Sequence, residues 1–238
     1  MISLHFKKQL FALLSIVTLL LLAQSAMALP KAFQANYKVS KGSLTLGNLH
    51  TSLKYSGNSY SYHKYTKATG FAALLTGIKI TENTDGQVSG NIIMPRKYYF
   101  NQSRRGGGKV DSINFSRNTA KGNYKKKAFS VKTSAGIQDK ASMELLLAQD
   151  LSQNKPRLIY NIVNQGEKSQ YRFQKLGNEV VKTPAGTFNT VKVKVVRSTN
   201  ARETVFWMAK ELDYMPVKIR HREKKDVITT VIKNYKKL

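Results

Sequence analysis

The histidines of this chain could act as metal ligands or as acid–base groups, so they are the first residues to consider. Apart from His5, which lies in the first 28 residues, they are His50, His63 and His221, which lie in three separate segments and form no HxH or HExxH spacing. The chain contains no cysteine, so a zinc site would need histidines and carboxylates that only folding brings together. We therefore predict no metal and no cofactor.

Two acidic residues, Glu82 and Asp85, could form a carboxylate pair of the kind that cleaves glycosidic bonds, provided both face one cleft. Asp85-Gly86 is also a strong hairpin signal, which would place both acids beside a turn where lysines can pair with them. The nucleophile motif GxSxG is absent. We predict no enzymatic activity, and we keep an enzyme acting on envelope polysaccharide through a carboxylate pair as the alternative.

The first 28 residues have the composition of a secretory signal peptide. Lys7 and Lys8 precede an apolar run over 10–23, and Ala26-Met27-Ala28 forms an A-x-A cleavage site. The apolar run is shorter than the roughly 20 residues of a membrane-spanning helix, so we predict cleavage after Ala28 and no transmembrane segment after signal removal. Residues 29–238 are predicted to form a single β-rich domain, which without cysteine has neither disulfides nor a lipid-modified cysteine.

The charge of the chain is strongly positive. Lys and Arg total 40 against 13 Asp and Glu, a net charge of +27, and removal of Lys7 and Lys8 leaves 38 minus 13, or +25. Such a field attracts anionic partners. In the cell envelope these are phospholipid headgroups, lipopolysaccharide phosphates and acidic glycans, whereas nucleic acid is a poor candidate in that compartment. The alternative is a solvated basic surface that reflects a host with generally basic proteins.

Alternating apolar and polar residues predict a mainly β fold. Phe33–Val39 has this alternation, and 183–223 predicts a three-stranded meander that contains the single tryptophan, Trp207. One helix is predicted over about 139–152, with Asp139 as its N-cap. Pro95 is expected to end a strand. The fold class is a single antiparallel curved sheet or incomplete β-barrel with this one main helix.

A short apolar segment bounded by glycines, about 69–76, predicts one or two helical turns. We interpret it as a buried plug in the sheet, with an exposed apolar lip that touches lipid as the alternative. Farther on, two tyrosines precede a basic, glycine-rich stretch over 104–109 that we expect to be a flexible loop. The candidate ligand-binding residues come from these two segments: Phe71, Leu74, Leu75, Tyr98, Tyr99, Arg104 and Arg105.

Several segments spread in order over the predicted mature chain resemble a family of proteobacterial secreted proteins known only as a domain of unknown function. They include Gly42–Gly47, Thr69–Leu74, Met94–Tyr98, Thr183–Thr190 and Leu212–Val217. The resemblance implies a periplasmic, β-rich protein, similar to the open barrels that shuttle lipoproteins, and it carries over no catalytic residue.

We expect a periplasmic binding or envelope-maintenance protein that holds an apolar or anionic envelope molecule, such as a lipid, lipopolysaccharide or an acidic glycan. Besides the enzyme considered above, a structural partner of an envelope protein complex is a further alternative.

Overall fold

A computed structural model describes residues 29–238, so the predicted signal peptide lies outside the described residues. Within these residues there are fourteen strands and two α-helices, and a 3₁₀ turn covers Lys210–Leu212. The helices are α1 (Gly70–Thr76) and α2 (Lys140–Ser152). The strands are β1 (Phe33–Lys41), β2 (Leu44–Ser56), β3 (Ser59–Ala68), β4 (Lys79–Ser89), β5 (Ile92–Arg104), β6 (Gly107–Phe115), β7 (Thr119–Tyr124), β8 (Lys127–Lys132), β9 (Leu158–Asn164), β10 (Glu167–Thr183), β11 (Gly186–Val195), β12 (Arg202–Ala209), β13 (Met215–Glu223) and β14 (Asp226–Lys237).

All fourteen strands belong to one antiparallel sheet, in the order β8-β7-β6-β5-β4-β3-β2-β1-β14-β13-β12-β11-β10-β9. The first and last strands pair with each other at its centre, which leaves β8 and β9 as the edges. Contacts other than a strand ladder bring these edges together: the Gln165 amide donates to Asp111 on β6, and Gln138 forms a parallel bridge with Ile162 on β9. The prediction of a curved sheet or incomplete barrel is confirmed.

Helix α2 lies against the inner face of the curved sheet, and nine of its thirteen residues are buried. Asp139 caps it as predicted: its carboxylate accepts hydrogen bonds from the amides of Ala141 and Ser142. Ser142 completes a capping box by accepting from the Asp139 amide. The predicted helix is confirmed.

The meander predicted over 183–223 is present as β11, β12 and β13, which are neighbours in the sheet. Trp207 on β12 is buried, and its ring lies between the ammonium groups of Lys192 and Lys218, at 5.0 and 4.5 Å from the ring centroid. Cation–π contacts of this kind keep the two lysine stems over the indole.

Two turn predictions were wrong. Asp85-Gly86 lies within β4, and the chain reverses instead at Gly90-Asn91. Gly86 is needed for close packing, because a Cβ there would lie 2.7 Å from the Tyr60 ring. Pro95 does not end a strand either: it pairs with Gly86 inside β5, beside the register shift at Asp85/Gly86 that lets the ladder accommodate it.

The predicted flexible loop over 104–109 is also wrong. β5 extends to Arg104 and β6 begins at Gly107, so only Arg105 and Gly106 form the turn. Gly106 and Gly107 both have positive φ, 75° and 132°. Glycine adopts such angles without steric cost, so the two residues allow a tight hairpin in place of the loop.

Among residues 29–238 no helix is long and apolar enough to cross a membrane.

The buried cap of α2 predicts a specific dependence of stability on pH. Burial raises the pKa of Asp139 to about 6, although hydrogen bonds from Ser142, Thr84 and Ala141 act in the opposite direction. The folded protein therefore holds this proton more tightly than the unfolded chain, whose aspartates have a pKa near 3.9. The contribution of Asp139 to the free energy of unfolding is complete below about pH 4 and is lost as the pH rises through about 6, a change of about 1–3 kcal/mol.

Asp139→Asn keeps a cap oxygen but removes the titration. Urea unfolding at pH 4.5 and at pH 7 should show the parent gaining stability relative to the variant at the lower pH. Two curves that run parallel over this range would contradict the raised pKa.

Candidate functional site

The inner face of the sheet encloses a space that we call the lumen, and strand alternation decides which side chains enter it. Neighbours directly opposite in an antiparallel sheet share a face, so three successive rows across β3, β4 and β5 point inward. The rows are Tyr62–Thr84–Tyr98, Lys64–Glu82–Phe100 and Thr66–Ile80–Gln102.

The first two rows and α2 together build a charged group that we call the Lys64 cluster. Its members are Lys64, Glu82, Glu144, Tyr62 and Tyr98. The Lys64 ammonium lies 2.6 Å from Glu144 Oε1 and 3.3 Å from Glu82 Oε2. The hydroxyl of Tyr62 donates to Glu144 at 3.2 Å, and that of Tyr98 donates to Glu82 at 2.9 Å. One lysine thus joins two carboxylates from different elements.

The environment of the Lys64 cluster keeps its lysine and Glu82 charged. Burial acts to lower the pKa of Lys64, but the charges of Glu144 and Glu82 outweigh it and raise that pKa. Burial acts to raise the pKa of Glu82, but Lys64, Lys140 and a hydrogen bond from Tyr98 leave that pKa below its ordinary value. A carboxyl held ionised in this way is a poor general acid.

The charged groups of the cluster are not sealed. The side chains of Lys64, Glu82 and Glu144 are 14%, 14% and 17% exposed, although they lie on the inner face of the sheet. The third row, two residues farther along the same strands and on the same face, lines a cavity.

That cavity, which we call the α1 cavity, has a volume of about 300 Å³. Its walls are mostly apolar and come from β1, β2, β3, β4, β5, β14 and helix α1. The residues that matter below are Val39, Thr66, Ala72, Ile80, Gln102 and Ile228. The α1 cavity is therefore an apolar space lined by the row next to the Lys64 cluster.

Helix α1 forms where the sequence predicts it and borders the α1 cavity with Ala72 and Thr76. Its three large side chains face away: Phe71 is 65% exposed, Leu74 65% and Leu75 61%. The plug interpretation therefore holds only for the small side chains, and the large ones form the exposed apolar lip that was the alternative.

The two candidate tyrosines that precede the basic stretch lie on opposite faces of β5. Tyr98 is buried in the Lys64 cluster, whereas Tyr99 is 40% exposed on the opposite face, so the structure does not bring the two tyrosines together. Arg104 and Arg105 are exposed beside α1, and the Arg105 amide donates to the Thr76 carbonyl at 2.9 Å. The candidate site residues thus share one end of the sheet, except Tyr98 and Tyr99.

Two lysines, one on the inner face of β6 and one at the start of α2, have no ion-pair partner among residues 29–238. Lys109 is opposite Gln102 in the β5–β6 ladder, with its ammonium 5.5 Å from the Phe100 ring centroid. Lys140 begins α2, and its charge acts on both Glu82 and Lys109. Burial and then the neighbouring cations, first Lys140, lower the pKa of Lys109.

The acid–base candidates from the sequence do not assemble. Asp85 faces away from Glu82 and bonds Ser61 and His63 on the outer side of β3, so the two acids cannot act on one bond. His50 bonds Asn36, and His221 bonds Thr204. Within the part of the chain that the structure describes, no three His, Asp or Glu side chains are arranged to hold a metal ion.

Sequence reasoning missed Lys64, Glu144, Lys109 and Lys140. The sequence does contain a signal for Lys64. It is separated by an even number of residues from Tyr60, Tyr62 and Ala68, so in an alternating strand it lies on the same buried face as they do. No comparable local pattern indicates Glu144, since its partner lies 80 residues away along the chain.

The Lys64 cluster generates a stability prediction. Lys64→Met leaves Glu82 and Glu144 facing each other without the cation, and breaking a buried ion pair costs about 3–5 kcal/mol. Urea unfolding at pH 7 should show this loss. Adding Glu82→Gln and Glu144→Gln to the same variant should recover most of the lost stability, because no unpaired charge then remains. A Lys64→Met variant as stable as the parent would contradict this account.

Comparison with known proteins supports the architecture. A crystal structure of a beta-barrel-like protein of the domain of unknown function DUF1849 from Brucella abortus superimposes with a TM-score of 0.55 and 7% identity, over 87% of this chain and 98% of that one. A "putative lipoprotein" from Parabacteroides distasonis gives a TM-score of 0.34 and 11% identity over 87% and 96% of the two chains, too low to indicate a shared fold. No protein of curated function matches the sequence.

The model of a family described as "Protein of unknown function (DUF3108)" matches residues 33–233, which include every strand residue except the last few of β14. This agrees with the resemblance to a domain of unknown function seen in the sequence. The chain therefore belongs to the DUF3108 family.

Proposed function

We propose that this protein is a non-enzymatic binding protein for an anionic amphiphile, with the apolar part of the ligand in the α1 cavity. The observation that carries the proposal is an apolar cavity of about 300 Å³ inside the barrel. That volume is at the lower end of the range for small-molecule sites, roughly 300–1,000 Å³.

The lining of the α1 cavity favours a hydrocarbon chain over a sugar. Val39, Ile80, Ile228 and Ala72 present only carbon to the space, and Thr66 and Gln102 supply few polar groups. A glycan would leave most of its hydroxyls unpaired there, which costs about 1–3 kcal/mol for each. A single acyl chain, in contrast, gains from every apolar contact.

The position of the anionic group follows from the unpaired lysines. Lys109 stands beside Gln102 at the wall of the α1 cavity, and Lys140 lies close enough to depress its pKa. An anion between the two lysines would relieve their mutual repulsion. A carboxylate or phosphate there would leave the acyl chain pointing into the cavity.

The predicted secretory signal peptide would bring the protein into the cell envelope, where lipids are the anionic amphiphiles that it would meet. We therefore propose a periplasmic role. A carboxylate-pair enzyme is less well supported, because Glu82 and Asp85 lie on opposite faces of β4 and Lys64 holds Glu82 ionised.

Filling the α1 cavity should abolish binding. Thr66→Trp places an indole into the space, whereas Tyr65→Trp adds the same side chain one residue earlier on the outer face, where Tyr65 is exposed. Titration calorimetry with decanoate should show at least about tenfold weaker binding for Thr66→Trp. The Tyr65→Trp control should bind like the parent. Equal binding by both variants, or no binding by the parent, would contradict the proposal.

Removing one lysine should affect only the charged ligand. Lys109→Gln should weaken decanoate binding about tenfold, as expected for a hydrogen bond to a charged group, and leave decanol binding unchanged. Lys97→Gln, on the outer face of β5, is the matched control with the same change in net charge. If decanoate binding falls equally in both variants, general electrostatics and not Lys109 attracts the anion.

A further inference from the structure

The antiparallel topology sorts the connections between strands to two ends of the barrel. Helix α1 lies at the same end as the turns 42–43, 105–106, 125–126, 165–166, 196–201 and 224–225. We call this the α1 end. The turns 57–58, 90–91, 116–118, 184–185 and 210–214 lie at the other end.

The connections at the α1 end carry positive charge only. They contain no acidic residue and six basic ones: Arg105, Lys125, Lys126, Arg197, Lys224 and Lys225. At the other end the five turns and segment 153–157, which leads into β9, carry both signs: Arg117, Lys155, Arg157 and Lys210 against Glu211 and Asp213. The connections at the α1 end thus carry a net charge of 6 − 0, or +6, and those counted at the other end carry 4 − 2, or +2.

The same end presents the largest exposed apolar residues of α1. Phe71, Leu74 and Leu75 are each more than 60% exposed, while Arg105 is bonded through its backbone to the end of the helix. Three large apolar side chains within five residues form an exposed patch of the kind that marks an interaction site. Large apolar side chains beside basic residues are typical of protein surfaces that lie in the interface of an anionic bilayer.

We propose that the α1 end docks on the surface of an anionic phospholipid bilayer, with Phe71, Leu74 and Leu75 inserted among the acyl chains and the basic turns on the headgroups. The six cations come from four separate turns along the rim, so an extended anionic surface satisfies them together, which a single small anion cannot do. Docking would bring the α1 cavity against the membrane.

This inference goes beyond ligand binding and can fail independently of it. The cavity is tested with dissolved decanoate, whereas docking is tested with vesicles. If the protein binds decanoate but not vesicles, the docking proposal alone fails. If it binds vesicles but not decanoate, the ligand-binding proposal alone fails.

The experiment is co-sedimentation of the mature chain with vesicles of equal parts phosphatidylcholine and phosphatidylglycerol, with pure phosphatidylcholine for comparison. We expect binding to the anionic vesicles at about 0.1 M salt and its loss at about 1 M salt, where the screening length falls from about 10 to 3 Å. Equal binding to both vesicle types would overturn the electrostatic part of the proposal.

The apolar insertion is tested by Phe71→Ser, Leu74→Ser and Leu75→Ser together, which change only well-exposed side chains. The matched control replaces exposed apolar residues elsewhere: Ile92→Ser, Ile159→Ser and Val180→Ser. The α1 variant should bind at least about tenfold more weakly, and the control like the parent. Parent-like binding by the α1 variant would overturn the assignment of the inserting residues.

The charge distribution is tested by two variants of identical net charge. Arg105→Gln, Arg197→Gln and Lys225→Gln remove three cations at the α1 end, and Arg117→Gln, Arg157→Gln and Lys210→Gln remove three at the other end. Each basic residue near an anionic surface contributes about fivefold to binding, so the first variant should lose about a hundredfold and the second little. Equal losses would show that net charge alone attracts the vesicles and would overturn the docking surface.

Insertion also has a direct readout. Trp207 is the single tryptophan and is buried, so its emission should not respond to vesicles. A Leu74→Trp variant should show an additional blue shift when anionic vesicles are added. Emission that stays unchanged while the protein sediments with the vesicles would place Leu74 outside the membrane.

Discussion

The enclosure of α2 by a single curved sheet is the constraint on which the rest of this structure depends. A helix with nine of thirteen residues buried must satisfy its polar groups from the sheet around it, since an unpaired buried polar group is costly. The sheet supplies those partners: Thr84 for the carboxylate of Asp139, Lys64 and Tyr62 for Glu144, and Tyr160 for Asp150. These bonds fix the helix to β3, β4 and β9, and so they hold together strands from the two halves of the sheet.

The same interactions divide the lumen into layers. Below the Lys64 cluster the interior is filled by α2 and the packed core. In the next row toward α1, short side chains such as Thr66 and Ala72 line the α1 cavity. The charged cluster thus fixes the helix to β3 and lies in the row next to the apolar space. A buried ion pair of this kind contributes little net stability compared with apolar packing, and the apolar cavity in the neighbouring row is what makes the lumen a candidate ligand site.

Topology gives this lumen a direction. Consecutive antiparallel strands place alternate turns at opposite ends, and the basic turns share an end with the exposed apolar face of α1. The unpaired lysines Lys109 and Lys140 lie on the inside of that end, and Arg105 lies on its rim. The proposed ligand site and the proposed docking surface are therefore successive parts of one route from a membrane surface to the lumen.

The sequence by itself determined the β class of the fold, the position and cap of α2, the meander around Trp207 and the existence of α1. These features depend on the alternation of apolar residues, on helix caps and on glycines that bound a segment, which are all local properties. Predictions from the sequence were wrong where contacts between residues distant in the chain determine the structure. Asp85-Gly86 has the composition of a turn, but the close approach of Tyr60 keeps it within β4. Tyr98 and Tyr99 are adjacent in sequence, but the pleat sends them to opposite faces. The pairing of Lys64 with Glu144, the α1 cavity and the sorting of basic turns to one end depend on strand order and curvature, which only the tertiary structure sets.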